Sequence, residues 1–197
     1  MNSVKSCKKP TSKSTKKSKS CLVLDIDGTL LGSSTTNNSA HRNKYKTHDG
    51  ESTVYCYIRP GTKRFLKKCR KIFDVVGIWS HGTKEWVEAC IKHLKLPPKF
   101  FNFVMCRQHP GDWTKPLRWI HKKYNTTPER TVMLDDTPEV VTPNKENVII
   151  VPYYISRTAD NAIPLLGKYL EHLVHCEDFR DHTFVMKESL KKTTSKK

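Results

Sequence analysis

Six polar side chains, scattered over most of the chain, have the chemistry to move a phosphoryl group: Asp25, Asp27, Ser80, Lys115, Asp135 and Asp136. Asp25 and Asp27 flank one apolar residue in Leu22-Val23-Leu24-Asp25-Ile26-Asp27-Gly28-Thr29-Leu30. Residues two apart on a regular strand face the same way. A turn opening at Gly28 would put Asp27 at the mouth of a site and leave it mobile. Asp135 and Asp136 are adjacent, so they point differently. Carboxylates gathered near one point repel, and their pKa values rise unless cations are present. Mg²⁺ suits such a set, because a hard cation takes oxygen ligands. A lysine would complete the charge balance, and Lys115 is best placed to do so. Metal, lysine and a carboxylate nucleophile are what phosphoryl transfer needs, since its transition state spreads negative charge over oxygen. Asp-Gly and Asp-Asp pairs alone are also ordinary turn chemistry. The ordered set carries the reading, not either pair.

Strands must bring these groups together. Cys21-Leu22-Val23-Leu24 reads as a buried parallel strand with polar groups at its carboxyl end. Residues 31–50 read as a polar loop, and Val54-Tyr55-Cys56-Tyr57-Ile58 as a β-rich run, part of a hairpin. Arg59-Pro60-Gly61-Thr62 opens a helix to about Arg70, with Phe65, Leu66 and Cys69 as its apolar stripe. Ile72 to Ser80 reads as the next core strand. A helix from Thr83 to about Leu96 follows, stopped by Pro97-Pro98. Phe100 to Cys106 reads as a strand, and Trp113 to Tyr124 as a short helix with Pro116 in its first turn. Thr131 to Asp136 and Val148 to Val151 read as strands, and Asn161 to about Cys176 as an amphipathic helix. Strands alternating with helices predict an α/β domain with a mostly parallel sheet. Sites in such sheets form beyond the carboxyl ends of strands. Asp25/Asp27, Ser80 and Asp135/Asp136 all end strands on this reading.

The chain of 197 residues suits one domain plus tails. Seven lysines in residues 1–20, and five lysines with one glutamate in 187–197, supply eleven of the seventeen net positive charges. The expected organisation is a disordered basic tail over 1–20, a folded domain over 21–186 with an insert at about 30–58, and a second disordered basic tail over 187–197. The N-terminal lysines read as a solubilising tail, with a nuclear-localisation or nucleic-acid patch as the rival. The lack of arginine there argues against a transit peptide. No run of about 18 apolar residues occurs, so no membrane span and no membrane partner are expected. No apolar h-region follows the lysines, which argues against secretion. Seven cysteines without a Cys-x-x-Cys pair imply free thiols in an intracellular, reducing compartment, the nucleus included. Cys90-x-x-His93 and Cys106-x-x-His109 have a spacing that zinc can use. Cys90 also falls at helical spacing with Trp86, Ala89 and Leu94, as a small core hydrophobe would.

The order and spacing of these segments resemble the haloacid dehalogenase (HAD) superfamily. Asp25-Ile26-Asp27-Gly28-Thr29-Leu30 is similar to its first motif, Ser80 to its second, Lys115 to its third and Leu134-Asp135-Asp136-Thr137-Pro138 to its fourth. The chain resembles most closely the small C-terminal-domain phosphatases and the NLI-interacting-factor-like proteins, over nearly all of 21–180. Val54-Tyr55-Cys56-Tyr57-Ile58-Arg59-Pro60-Gly61 is similar to that family's strand-then-RPG block, and Trp79-Ser80-His81-Gly82 sits at its second motif. The resemblance implies a HAD-like Rossmannoid three-layer domain with a central mostly parallel sheet and a small β insert after the first strand. It implies that Asp25 attacks phosphorus and forms an aspartyl-phosphate, and that Asp27 acts as general acid and then base. It implies that Asp25, Asp136 and the backbone carbonyl of Asp27 bind Mg²⁺. Ser80 would hydrogen-bond a phosphoryl oxygen, Lys115 would neutralise charge with Asp135 orienting it, and Thr29 would also contact phosphate. Departures from the family are Gly28 for a glutamate, Ser80 for threonine, His81-Gly82 for smaller residues and Asp136 for asparagine. None removes a catalytic group. His81 reads either as a substrate contact or as a histidine without a role.

The function so implied is a Mg²⁺-dependent phosphatase acting on phosphoserine or phosphothreonine in proteins, the RNA polymerase II tail among them. The insert would shape the entrance, and Arg59, Lys63, Arg64 and Lys115 would attract an anionic phosphopeptide. A nucleic-acid terminal (3′) phosphatase is the alternative, with nucleic-acid contact through the basic tails. A phosphopeptide-binding module without turnover is a third reading, disfavoured because the full aspartate set is present.

Overall fold

Lys19–Leu24 (β1) runs through the middle of a parallel sheet, and its alternation sets the two faces of the molecule. Leu22 and Leu24 join one buried cluster, and Cys21 and Val23 join another on the opposite face. The computed structural model describes residues 18–49, 52–107, 114–139 and 141–181. Among these, the strands are β1, Leu31–Ser34 (β2), Lys44–Asp49 (β3), Ser52–Ile58 (β4), Val75–Trp79 (β5), Phe103–Met105 (β6), Thr126–Asp135 (β7) and Val148–Ile150 (β8). The helices are Thr62–Ile72 (α1), Lys84–Leu94 (α2), Arg118–Tyr124 (α3) and Ala162–Leu173 (α4). The main sheet has the order β6-β5-β1-β7-β8, all parallel. Helices α1, α2 and α4 cover one face, through Phe65, Leu66, Val87, Leu94, Leu166 and Leu170. Helix α3 covers the other, through Ile120 against Val23 and Met133. This is the three-layer α/β architecture expected, with helices on both faces of a parallel sheet.

Local chemistry accounts for the helix ends. Thr83 caps α2, its Oγ1 accepting the Trp86 backbone N–H at 3.3 Å. That helix ends at Lys95, in the left-handed region at φ 49°, ahead of Pro97-Pro98. In α1 the residues Thr62, Phe65, Leu66 and Cys69 are buried on one side, and Lys63, Arg64, Lys67 and Lys71 are exposed on the other.

Half of the region read as a polar loop is instead sheet. β2 and β3 flank β4 antiparallel, pairing Leu31 with Ile58 and Lys44 with Tyr57. Ser33, Ser34 and Thr47 have weak alternation of their own, and the ladder to the β-rich β4 supplies the order. The insert is therefore a three-stranded sheet. Two smaller differences concern β7 and α3. β7 begins at Thr126, with Pro128 inside it, where its register against β1 shifts between Lys19 and Cys21. Pro116 precedes α3 rather than opening it, its carbonyl accepting the Trp119 N–H at 3.2 Å.

Among the described residues Cys21, Cys56, Cys69, Cys90 and Cys106 are free thiols. The zinc spacing is not supported among the described residues. Cys90 is buried in the core, His93 stacks on Tyr45 at 3.4 Å between ring centres, and His109 lies outside the described residues. The two tails expected to be disordered lie mostly outside them as well. No helix among the described residues is long and apolar enough to cross a membrane.

Candidate active site

The same alternation that divides the core aims the acids. Val23 faces α3, so Asp25 two residues on points to that side. Met133 faces α3, so Asp135 does too. β1 and β7 are neighbours, with Leu24 paired to Leu134, and the Asp25 N–H donates to the Leu134 carbonyl at 3.0 Å. The two carboxylates therefore sit side by side on one face, where they would repel. Lys115, just ahead of α3 on that face, lies between them. Its Nζ donates to Asp25 Oδ1 at 2.7 Å and to Asp135 Oδ2 at 2.7 Å. All three side chains are almost completely buried. Burial would lower the Lys115 pKa, but Asp25 and Asp135 outweigh it and hold the ammonium charged. Burial pushes the Asp25 carboxyl well above its usual range, against the pull of Lys115.

Asp136 follows Asp135 and turns the other way. Its Oδ1 accepts the Thr29 hydroxyl at 3.0 Å, and its Oδ2 accepts the Thr137 hydroxyl at 3.3 Å. Burial raises its pKa as well. The Thr137 N–H donates to Asp135 Oδ1 at 2.9 Å, fixing the other carboxylate. Oxygens of Asp25, Asp135 and Asp136 lie within 4.8 Å of one another, the one group among the described residues with a metal site's make-up. Three converging carboxylates, two of them pushed toward protonation by burial, match the donor set of a hard dication.

Thr29 was expected to contact phosphate. Its hydroxyl serves Asp136, its N–H donates to the Ile26 carbonyl at 3.3 Å, and the residue is fully buried. Both of its donors are engaged within the protein in this structure, the hydroxyl with Asp136. The turn that buries it needs Gly28. That residue has φ 75°, and a Cβ there would fall 2.5 Å from Tyr153 Cδ2 and 2.6 Å from Asp136 Oδ2.

Asp27 and Ser80 meet beyond the ends of β1 and β5. Ser80 Oγ donates to Asp27 Oδ2 at 3.4 Å and accepts the Gly82 N–H at 2.9 Å. The indole Nε1 of Trp86 donates to Asp27 at 3.0 and 3.1 Å. Burial raises the Asp27 pKa, partly offset by the hydrogen bonds from Trp86 and Ser80. Asp27 opens onto a cleft of about 510 Å³, whose walls include Ser34, Val54, His81, Trp86 and Arg107. The insert thus forms one wall and the start of α2 the other.

Two contributors escaped the sequence reading. Trp86 falls on a helical stripe with Cys90, which marked it as core. Its place six residues after Ser80, in the first turn of a capped helix, was the available signal. Arg59 was read as a surface cation for anionic substrates, and this is corrected: the residue is 1% exposed. Its Nε and Nη2 donate to Asp160 at 3.0 and 2.9 Å, and its Nη1 donates to the Thr29 carbonyl at 3.1 Å. The guanidinium also lies 5.1 Å from the Tyr154 ring centre. Arg59 braces the Gly28–Thr29 turn from behind.

Comparison with solved structures gives the fold class. The chain matches "The Structure of Fcp1, an essential RNA polymerase II CTD phosphatase" with a TM-score of 0.62 at 18% identity, covering 80% of this chain and 62% of that one. It matches a HAD-superfamily hydrolase from Ehrlichia chaffeensis with a TM-score of 0.54 at 12% identity, covering 81% of this chain and all of the other. The architecture is the α/β Rossmannoid fold of the HAD phosphatases. Residues 20–180 match the NLI interacting factor-like phosphatase family, and the chain belongs to it. Curated relatives include ubiquitin-like domain-containing CTD phosphatase 1 of Danio rerio, 27% identical over 179 residues, covering 82% of this chain. Phosphatase PSR1 of Saccharomyces cerevisiae is 26% identical over 166 residues, covering 80%. This chain spans 52% of the first relative and 38% of the second.

Proposed function

We propose that the chain is a Mg²⁺-dependent phosphatase that hydrolyses phosphoserine and phosphothreonine in proteins through an aspartyl-phosphate on Asp25. The observation that carries this reading is the Lys115 ammonium set between Asp25 and Asp135, with Asp136 beside them and Asp27 opening on a cleft. Asp25 Oδ attacks phosphorus, the phosphorus–ester oxygen bond breaks, and the Asp27 proton passes to the departing oxygen. Water then attacks the phosphorus of the aspartyl-phosphate and gives its proton to Asp27. The bond to Asp25 breaks, releasing inorganic phosphate and restoring both carboxyl groups. Lys115 stabilises the negative charge on the phosphoryl oxygens in both steps, with Asp135 orienting it. Ser80 supplies a hydroxyl donor to the phosphoryl group once it leaves Asp27. Asp25, Asp136 and the Asp27 backbone carbonyl would hold Mg²⁺, which supplies further positive charge to the phosphoryl oxygens.

Protein substrates are supported by those relatives whose names describe CTD phosphatases, and by the open cleft between the insert and α2. The RNA polymerase II tail is the substrate named for the Fcp1 structure, and it heads the panel here. A nucleic-acid 3′-phosphatase is favoured by one observation, the net charge of +17. The test is a panel of phosphopeptides and 3′-phosphorylated oligonucleotides, with and without Mg²⁺, alongside p-nitrophenyl phosphate. Wild type should hydrolyse p-nitrophenyl phosphate and phosphopeptides with Mg²⁺, and Asp25→Asn should hydrolyse neither. Equal inactivity of both proteins would overturn the enzymatic reading. Faster turnover of oligonucleotides than of peptides would overturn the protein substrate.

A further inference from the structure

We infer that Trp86 is a positioning residue for Asp27, its indole N–H fixing the proton-transferring carboxyl in the wall of the cleft. The inference rests on the phosphatase reading above. Trp86 Nε1 lies 3.0 Å from Asp27 Oδ1 and 3.1 Å from Oδ2. One N–H needs one acceptor, so the near-equal distances leave either oxygen to take it. The other oxygen stays available to carry a proton. The Ser80 hydroxyl at 3.4 Å is the weaker partner, and in turnover it is called to the phosphoryl group. The indole is then what keeps Asp27 in place.

The backbone at Asp27 is held by a bridge to Leu31, so what the indole fixes is the carboxyl beyond it. Asp27 sits after the end of β1, at the mouth of the turn opened by Gly28. The indole itself is well held. Trp86 lies in the first turn of α2, where its own N–H is tied to the Thr83 cap. Its ring packs against the core cluster that holds Val87 and Cys90. The other side of the ring touches Gly82, where a Cβ would fall 2.6 Å from Trp86 Cδ1. The same Gly82 gives its N–H to Ser80. Ser-His-Gly-x-x-x-Trp, residues 80–86, thus forms one linked segment in which His81, Gly82 and Trp86 line the cleft beside Asp27, with the buried Ser80 hydroxyl bonded to that carboxyl. A carboxyl displaced by about 1 Å loses much of its effect on proton transfer.

Proton donation matters in proportion to how basic the departing oxygen is. As the phosphorus–oxygen bond breaks, the Asp27 proton moves to that oxygen and Asp27 is left as carboxylate. Phenolate needs the proton; p-nitrophenolate leaves largely without it. The test measures kcat/KM with Mg²⁺ on phenyl phosphate and on p-nitrophenyl phosphate, for the full chain and for Trp86→Phe, which keeps an apolar ring and loses the donor. The variant should lose about tenfold or more on phenyl phosphate relative to its loss on p-nitrophenyl phosphate. Equal losses on the two esters, as a purely structural role gives, would overturn the inference, and so would no loss on either. If Trp86→Phe does not fold by circular dichroism, Trp86→benzothienylalanine, which replaces only the N–H by sulfur, takes the same test with the same outcomes. Wild type inactive on both esters would instead overturn the phosphatase reading on which the inference stands.

Discussion

The Lys115 ammonium lies 2.7 Å from Asp25 Oδ1 and contacts Asp135 at the same distance, with all three groups out of reach of bulk water. Removing the cation leaves two buried carboxylates facing each other. Lys115→Met should lower turnover of p-nitrophenyl phosphate about 100-fold or more. It should also cost about 3–5 kcal/mol of stability, read from urea unfolding. Adding Asp25→Asn to Lys115→Met should recover part of that stability, because one orphaned charge is gone. A Lys115→Met protein as stable as wild type would show that the pair is not the buried unit described.

Asp25, Asp135 and Asp136 crowd together, and burial pushes Asp25 and Asp136 toward protonation. A dication that relieves this crowding binds the folded chain and not the unfolded one. The thermal midpoint should therefore rise with Mg²⁺ concentration, and the rise should shrink in Asp136→Asn. Removal of Mg²⁺ with a chelator should abolish turnover. A midpoint unmoved by millimolar Mg²⁺ would count against Asp25 and Asp136 as its ligands.

Arg59 is bonded twice to Asp160 and once to the Thr29 carbonyl, in a buried setting. Arg59→Ala strands Asp160 and should cost about 3–5 kcal/mol, measured by the urea midpoint. Arg59→Lys should recover only part, because a lysine cannot make the paired contact. Turnover should fall in both variants, although neither touches the cleft. Unchanged unfolding of Arg59→Ala would refute the bracing role.

Ser20 and Asp74 join the start of β1 to the loop before β5. Asp74 Oδ2 accepts the Ser20 N–H at 2.8 Å and its hydroxyl at 2.7 Å. Burial would raise the Asp74 carboxyl, but the Ser20 bonds, helped by Arg130 and Lys19, outweigh it and hold the pKa below the usual value. A carboxyl lowered in the folded state stabilises above its unfolded pKa, and that contribution fades as pH falls through its folded pKa. Ser20→Ala should therefore destabilise by about 1 kcal/mol or less near neutral pH, since Asp74 is largely exposed. The gap to wild type should close in the acid range below the ordinary carboxylate pKa. A gap constant down to that range would exclude this linkage.

Much of the site was legible because a parallel sheet places the carboxyl ends of its strands at one edge. Asp25 and Asp135 needed only strand alternation to be set side by side, and Lys115 only a helix start between them. The order of the main elements followed from apolar periodicity. What escaped depends on partners distant in sequence. Arg59 looks like any surface cation until Asp160, far along the chain, closes on it. Trp86 has the spacing of a core residue, and in part it is one; only the fold brings its N–H to Asp27. β2 and β3 have too little alternation to be read alone, and their order comes from β4 between them.

Arg59 also has a consequence for how the entrance can vary. It stands directly after β4, the central strand of the insert, and its far end grips the turn that holds Thr29. The turn is thus anchored where the insert ends. Within residues 35–43, however, His41 is buried and its Nε2 lies 2.6 Å from the Tyr154 hydroxyl, and the Tyr154 ring lies against the Arg59 guanidinium. The insert is bolted at its root by Arg59 and again by His41, so a rebuilt entrance would have to keep both bolts for the chemistry behind it to stay the same.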